Sequence, residues 1–306
     1  MKIVILGAGA LGSFIGGMLC KKNEVIFIGR KEHMDAVKKN GLMIKGKTEC
    51  IVYPKVEKEY AKEPDLIIMT VKAYDTKKAM EENISLVGEK TVVLSLQNGL
   101  GNEELLAETV GKRVIGGVTS HGVTFLKPGE IYHSGIGETI IGEMDGEITE
   151  RVKKVANMFN ECGIETRISI EIRKDIWCKA IINSAINPLT AIVKCKNGYL
   201  LQNKYLKKLM EEICKEGIAV ARSEGIDVGE EIIKKTEEVA YLTRKNYSSM
   251  LQSIMQGKKT EIEEINGEIV KRGRKNDIST PINFTLFSII KAMEKIAAVA
   301  PKGTDL

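Results

Sequence analysis

The chain is poor in the residues that build metal centres, disulfide frameworks and base-stacking surfaces. It has three histidines, one tryptophan and six cysteines in 306 residues. Cys20, Cys50, Cys162, Cys178, Cys195 and Cys214 include no C-x-x-C pair, and with only three histidines beside them a metal site has no framework. The cysteines read as buried or idle thiols of a cytosolic protein. Aromatic residues make up 5%, too few for a surface on which nucleic-acid bases stack. Neither sign of charge dominates. The 46 basic and 41 acidic residues leave +5, spread along the chain. That balance argues against a nucleic-acid partner and mildly favours anionic ligands. No uninterrupted apolar run reaches the roughly 18 residues of a membrane span. The apolar start is too short for a secretory signal. The expectation is therefore a cytoplasmic protein with no membrane or nucleic-acid partner, long enough for two domains.

What is present is concentrated at the start. Residues 2–6, KIVIL, lead into Gly7, Ala8, Gly9, Ala10, Leu11 and Gly12. An apolar stretch, 13–19, follows, and then a second strand-like run, 24–28, ending at Gly29 and Arg30. The order is strand, glycine turn, helix, strand. Gly7 allows the tight turn, Gly9 lets backbone approach a pyrophosphate, and Gly12 lets the helix pack close to the strand. The helix N-terminus offers N–H groups and a positive dipole end to phosphate. A carboxylate for the ribose 2′-hydroxyl is expected about 20 residues after the glycines. Arg30 stands there instead, followed by Lys31, and no carboxylate appears before Glu32. A guanidinium suits a 2′-phosphate, which favours NADP over NAD. A solvated basic turn is the alternative.

Up to about residue 167 strands and helices alternate. Segments 66–71, 91–96 and 114–118 read as buried parallel strands, with crossover helices over 75–83 and 103–108. Residues 42–52 read as one or two short strands. Pro128 and Gly129 mark a turn between 123–126 and 130–133. Residues 139–141 read as a further edge strand, 147–160 as a helix and 165–168 as a last short strand. Afterwards the periodicity is helical, over 170–194, 203–224, 229–245, 247–256, 260–275 and 281–297. The expectation is an α/β Rossmann-type domain with a mostly parallel sheet at 1–167, then an all-α domain at 168–306, with the cleft between them.

Three polar groups follow strand ends, where ligands of open α/β sheets bind. They are Lys72, the Gln97-Asn98-Gly99 turn, and Thr119-Ser120-His121. Each is also an ordinary turn residue by position. In the helical part, Lys179, Asn183 and Asn187 interrupt an apolar segment at spacings of four, a polar stripe on one helix face. Pro188 is expected to end or bend that helix. A lysine pressed among apolar neighbours has a lowered pKa, as a general acid near neutral pH needs. The alternative is a lysine reaching solvent past a satisfied asparagine pair. Asn246 and Ser249 are spaced for one helix face. Glu261 reads by itself as one surface carboxylate among many.

These motifs together resemble ketopantoate reductase (2-dehydropantoate 2-reductase). The likeness runs from residue 1 to about 295 through GAGALG, Arg30, VKAYDT, QNGLG, TSHG, WCKAIINSAINPLTA, KNG, NYSSMLQ and TEIEEINGEIV. The resemblance implies NADPH-dependent reduction of 2-dehydropantoate to (R)-pantoate, a step towards pantothenate and coenzyme A, and a second domain like the C-terminal domain of 6-phosphogluconate dehydrogenase. It implies Lys179 as proton donor, with Asn183, Asn187 and Asn197 lining the substrate pocket. Ser249 would bind the substrate carboxylate, and Asn246 opens the same NxxS segment. Asn98 would touch cofactor and substrate, and Glu261 would hold a substrate hydroxyl or the nicotinamide ribose. Gly7 to Gly12, Arg30 and Lys72 would bind NADPH. A backbone contact to the cofactor falls at Val123, where the family often has alanine. Another β-hydroxyacid dehydrogenase acting on a small 2-oxo or 3-hydroxy acid is the near alternative, and a nonenzymatic NADPH-sensing regulator the distant one. A homodimer is left open.

Overall fold

The computed structural model describes residues 1–299. Residues 300–306, the end of the expected second domain, lie outside the described residues. The chain divides into two compact units. The first comprises Met1–Gln97 and Gly101–Asp175, and the second Asn98–Leu100 and Ile176–Leu306.

The first unit is built on a seven-stranded sheet. Its strands are β1 (Lys2–Leu6), β2 (Glu24–Ile28), β5 (Leu66–Met69), β6 (Val92–Ser95), β7 (Val114–Thr119), β10 (Thr139–Glu143) and β11 (Thr166–Ile168). The order is β11-β10-β7-β6-β5-β1-β2, and only β7 and β10 pair antiparallel. Both faces are covered, which is why the central strands read as continuous apolar runs. The two-residue period still sorts them. Ile3, Ile5, Leu66 and Ile68 enter one core with Phe14, Ile15 and Leu19 of α1 (Ala10–Leu19). Val4, Leu6, Ile67 and Met69 enter the other, with Met80 of α3 (Thr76–Glu82) and Leu106 and Val110 of α4 (Asn102–Val110). Each such buried aliphatic contributes roughly 1.5–3 kcal/mol. Helix α2 (Lys31–Asn40) follows β2. Helix α5 (Glu150–Glu161) is capped by the Thr149 hydroxyl and buries Val152, Val155, Ala156 and Phe159 on one face.

Residues 42–52 form two strands, β3 (Leu42–Gly46) and β4 (Cys50–Val52). With β8 (Gly122–Lys127) and β9 (Glu130–Gly135) they make a separate four-stranded sheet, order β4-β3-β9-β8. Strand β10 is not an edge strand, because β11 pairs parallel with it and takes the edge. Strand β5 stops at Met69, short of Val71. Thr70 still donates its N–H to Leu6 O at 2.9 Å, and its Oγ1 donates to Gly7 O at 2.9 Å.

The second unit is helical: most of α6 (Ile172–Val193), then α7 (Tyr199–Gln202), α8 (Lys204–Ser223), α9 (Glu231–Leu242), α10 (Ser249–Met255), α11 (Glu268–Lys275) and α12 (Pro281–Val299). Helix α8 buries Met210, Ile213, Cys214, Gly217, Ile218 and Ala221, a stripe of 3.6-residue period. Helix α6 is long and apolar enough to cross a membrane, but 67% of its apolar window is buried, which marks a core helix.

The helix expected over 170–194 forms as α6, which continues to Val193 and is not ended by Pro188. The missing proline N–H leaves the Ser184 carbonyl without its usual donor, and the Asn266 side-chain amide donates to that oxygen instead, at 3.1 Å. The helix expected over 260–275 is not one α-helix. It contains a π-helical segment, Glu263–Gly267, before α11. Such insertions widen the turn locally and gather at functional sites.

Candidate active site

The chain passes from β1 to β2 on one side of the sheet and then crosses to β5 on the other, so the strand order reverses between β1 and β5. Ligands of open α/β sheets bind at the carboxyl ends of strands flanking such a reversal. The glycine turn is at that place. The Gly7 and Ala8 N–H groups both donate to Ile28 O, at 2.9 and 3.0 Å, and Gly7 has φ +104°. A Cβ on Gly7 would collide with the Val71 backbone, and one on Gly12 with Thr70 Oγ1 and Gly7 O. A Cβ on Gly9 would meet nothing nearer than Gly7 O at 3.9 Å. Thus Gly7 and Gly12 let the protein close on itself, whereas Gly9 leaves backbone open to a ligand. No side chain caps α1 at Gly9. The first-turn N–H groups of Ala10, Leu11 and Gly12 are left for a phosphate.

Arg30 is exposed at the end of β2, and its carbonyl accepts the His33 and Met34 N–H groups to open α2. Lys31 and Glu32 lie exposed in the first turn. Glu32, the first carboxylate after the strand end in sequence, therefore sits on α2, beyond the cation. Lys72 is half-buried in the turn after β5. Gln97 fixes that turn, its Nε2 donating to Val71 O at 2.9 Å and Thr76 Oγ1 at 2.7 Å. Val123 lies in β8 with its side chain packed against the α1-facing core. These groups fit a phosphorylated dinucleotide: a backbone cradle open at Gly9, an uncapped helix end and a cation where NAD sites carry a carboxylate.

All three histidines belong to this unit. His33 bonds to Ser13 Oγ at 2.9 Å, and His133 lies between Thr48 Oγ1 at 3.0 Å and His121 Nδ1 at 3.2 Å. Burial lowers the pKa of each, and the His133 charge helps carry His121 down to about 4. The three are neutral near pH 7.

In the second unit Lys179, Asn183 and Asn187 occupy successive turns of α6. Lys179 and Asn183 are half-buried and Asn187 is 7% exposed. Ser248, which the sequence reading passed over, ties this helix to α10. It caps α10 by accepting the Leu251 N–H, while Thr190 Oγ1 donates to its Oγ at 2.7 Å. That places the exposed Ser249 in the first turn of α10. Asn246 does not share its helix face, because residues 243–248 leave the helix to form the loop that Ser248 terminates. Asn246 O instead accepts the Asn197 N–H at 3.0 Å. Asn197, 7% exposed, donates from Nδ2 to Thr243 Oγ1 at 2.9 Å, and its Oδ1 is buried without a partner among the described residues. A buried acceptor of this kind is suited to a ligand hydroxyl.

Glu261 is 6% exposed rather than a surface group. Asn98 Nδ2 donates to its Oε2 at 3.3 Å. The same turn is held again through Glu264, whose carbonyl accepts the Leu100 N–H at 2.8 Å. Gly99, at φ +89°, rests on that carbonyl so closely that a Cβ would not fit. Desolvation raises the Glu264 carboxyl to about 7. Nothing in the TEIEEING segment distinguishes this second, half-buried carboxylate, because the π turn that carries it is not written as a periodicity.

Residues 3–146 match the family model for ketopantoate reductase PanE/ApbA, and residues 171–294 match the model for its C-terminal part. The chain belongs to the ketopantoate reductase family. It is 42% identical over 298 residues to the 2-dehydropantoate 2-reductase of Pyrococcus horikoshii, covering 97% of this chain and 98% of that protein. The PanE/ApbA family ketopantoate reductase of Ralstonia eutropha has a crystal structure that superposes with a TM-score of 0.91 at 30% identity, over 97% of this chain and 99% of that one. A D-mandelate dehydrogenase, solved with NADH and anilino(oxo)acetate, superposes with a TM-score of 0.93 at 30% identity, over 98% and 100%. The chain is thus an oxidoreductase of a family with a Rossmann-type dinucleotide fold.

Proposed function

We propose that the protein is a cytoplasmic 2-dehydropantoate 2-reductase that takes NADPH. The observation that carries this reading is the conjunction of an NADP-type strand end at Arg30 with an intact Lys179-Asn183-Asn187 stripe on a buried helix, in a chain 42% identical over nearly its whole length to a named 2-dehydropantoate 2-reductase. Gly7, Ala8, Gly9, Ala10, Leu11 and Gly12 hold the pyrophosphate, with Arg30 on the 2′-phosphate and Lys72 and the Val123 backbone as further contacts. When bound, NADPH supplies the hydride that reduces the C2 carbonyl.

The second unit does the rest. Asn183, Asn187, Asn197 and Asn246 orient the 2-oxo acid, and Ser249 binds its carboxylate from the first turn of α10, where the helix dipole adds to the attraction. Lys179 Nζ gives its proton to the carbonyl oxygen as charge develops there. Asn98 and Glu261, already bonded to one another, hold the substrate hydroxyl or the cofactor ribose. General-acid catalysis of this kind is worth roughly 10²–10⁴-fold.

The D-mandelate dehydrogenase likeness supports a second reading, reduction of another 2-oxo acid with NADH. Initial rates of reduced-cofactor consumption separate them. We expect 2-dehydropantoate with NADPH to exceed the 2-oxo acid of mandelate with NADH. The reverse order overturns the assignment.

A further inference from the structure

The hydrogen bond that Pro188 removes from α6 spans Ser184 to Pro188, next to the stripe residues Asn183 and Asn187. A proline inside a helix removes one N–H, and here the carbonyl left over is that of Ser184, a residue with no exposed surface. Solvent cannot repair the loss. Asn266 does, from the π-helical segment, with Nδ2 donating to Ser184 O at 3.1 Å and to Asn283 Oδ1 at 2.9 Å. Two oxygen acceptors fix which way the amide faces. Asn266 and Asn283 are both fully buried. Asn283 in turn donates to Glu216 Oε2 at 2.7 Å, and that carboxylate also accepts the Ile282 and Asn283 N–H groups at the start of α12, at 2.9 Å each. An unbroken chain of hydrogen bonds therefore runs from α8 and α12 into the middle of α6.

We propose that Asn266 is a positioning residue for the reduction: it replaces the hydrogen bond that Pro188 removes and so holds Asn183 and Asn187 in register with Lys179. The inference rests on the proposed use of that stripe. The π turn is part of the device, because the widened backbone at Glu263–Gly267 carries both Asn266 and, through Glu264, the Asn98–Leu100 turn. A small displacement of groups that orient a substrate can cost on the order of 10²-fold in rate.

The test is a double-mutant cycle between Asn266→Ala and Pro188→Ala. The second substitution restores a backbone N–H to Ser184 O. Asn266→Ala should lower kcat/KM for 2-dehydropantoate roughly 10- to 100-fold and leave the Kd for NADPH within about threefold. Adding Pro188→Ala should return activity to near that of Pro188→Ala alone. Hydrogen exchange supplies a readout that needs no substrate: amides of residues 184–192 should exchange faster in Asn266→Ala and recover in the double variant. Should Asn266→Ala fail to fold, the Asn266 substitution is read in the Pro188→Ala background, where near parity is expected. An equal loss with and without Pro188 overturns the proposal. If the unsubstituted protein reduces no 2-oxo acid, the functional reading has failed, and the exchange pattern still decides whether Asn266 braces α6.

Discussion

In the glycine turn the groups offered to a ligand are main-chain N–H groups of Ala10, Leu11 and Gly12, whereas on α6 they are the side chains of Lys179, Asn183 and Asn187. The turn is made by what its residues lack. Gly7 and Gly12 have no Cβ to hold off the Val71 backbone and the Thr70 hydroxyl, and Gly9 none to keep a ligand away. The stripe is made by what its residues carry, and the helix that bears it has remote partners: Asn266 at Ser184 and Ser248 at Thr190. A backbone site can be destroyed by adding one carbon, whereas a side-chain site is weakened by removing a support.

The sharpest break of that contrast is Gly12→Val. Its branched side chain meets Thr70 Oγ1, Gly7 O and Ile5. NADPH binding should be lost altogether, with overpacking costing about 1–3 kcal/mol of stability. A fluorescence titration that still shows normal binding would remove Gly12 from its packing role. Next in size is Arg30→Ala. Losing a charged hydrogen bond of about 1.5–3 kcal/mol should weaken NADPH roughly 10- to 100-fold. NADH affinity should barely change, and equal losses for both would refute the 2′-phosphate assignment. Smaller again is Ser248→Ala in the second unit. Loss of the cap should cost about 0.5–2 kcal/mol. KM for the 2-oxo acid should rise while NADPH Kd holds, as paired titrations would show.

The smallest effects distinguish the two units by the sign of their pH dependence. His121 titrates near 4 in the folded chain and near 6.5 unfolded, so below pH 6.5 the unfolded state takes up the proton first. Its contribution is complete above pH 6.5 and lost towards pH 4. Glu264 is raised from 4.5 to about 7, so the folded state prefers the neutral carboxyl. Its contribution is complete below pH 4.5 and declines as pH rises through 7. His121→Gln should flatten the melting temperature against pH between 4 and 6.5, and Glu264→Gln between 4.5 and 7. Unchanged slopes would mean these groups do not feel the burial described.

The first unit was largely legible in the sequence, because strand periodicity, glycine spacing and the Arg30 position are all local. Even there β10 was misplaced at an edge, since only its pairing with the distant β11 shows otherwise. The stripe was legible for the same local reason, being one helix. Its supports were not. A helix that survives Pro188 requires Asn266, 78 positions on, and a π turn carries no periodic signature. Asn246 and Ser249 share helical spacing, yet a Ser248 cap starts the helix between them. Glu261 looked like surface until the Asn98 turn covered it.

The division of labour turns on Lys179, the one group assigned to move a proton. The most direct measurement is kcat for 2-dehydropantoate in Lys179→Ala, taken with the Kd for NADPH on the same preparation. kcat should fall by roughly 10²–10⁴-fold with cofactor affinity within about threefold. Turnover at the unsubstituted rate, or a loss confined to NADPH binding, would contradict that role for Lys179.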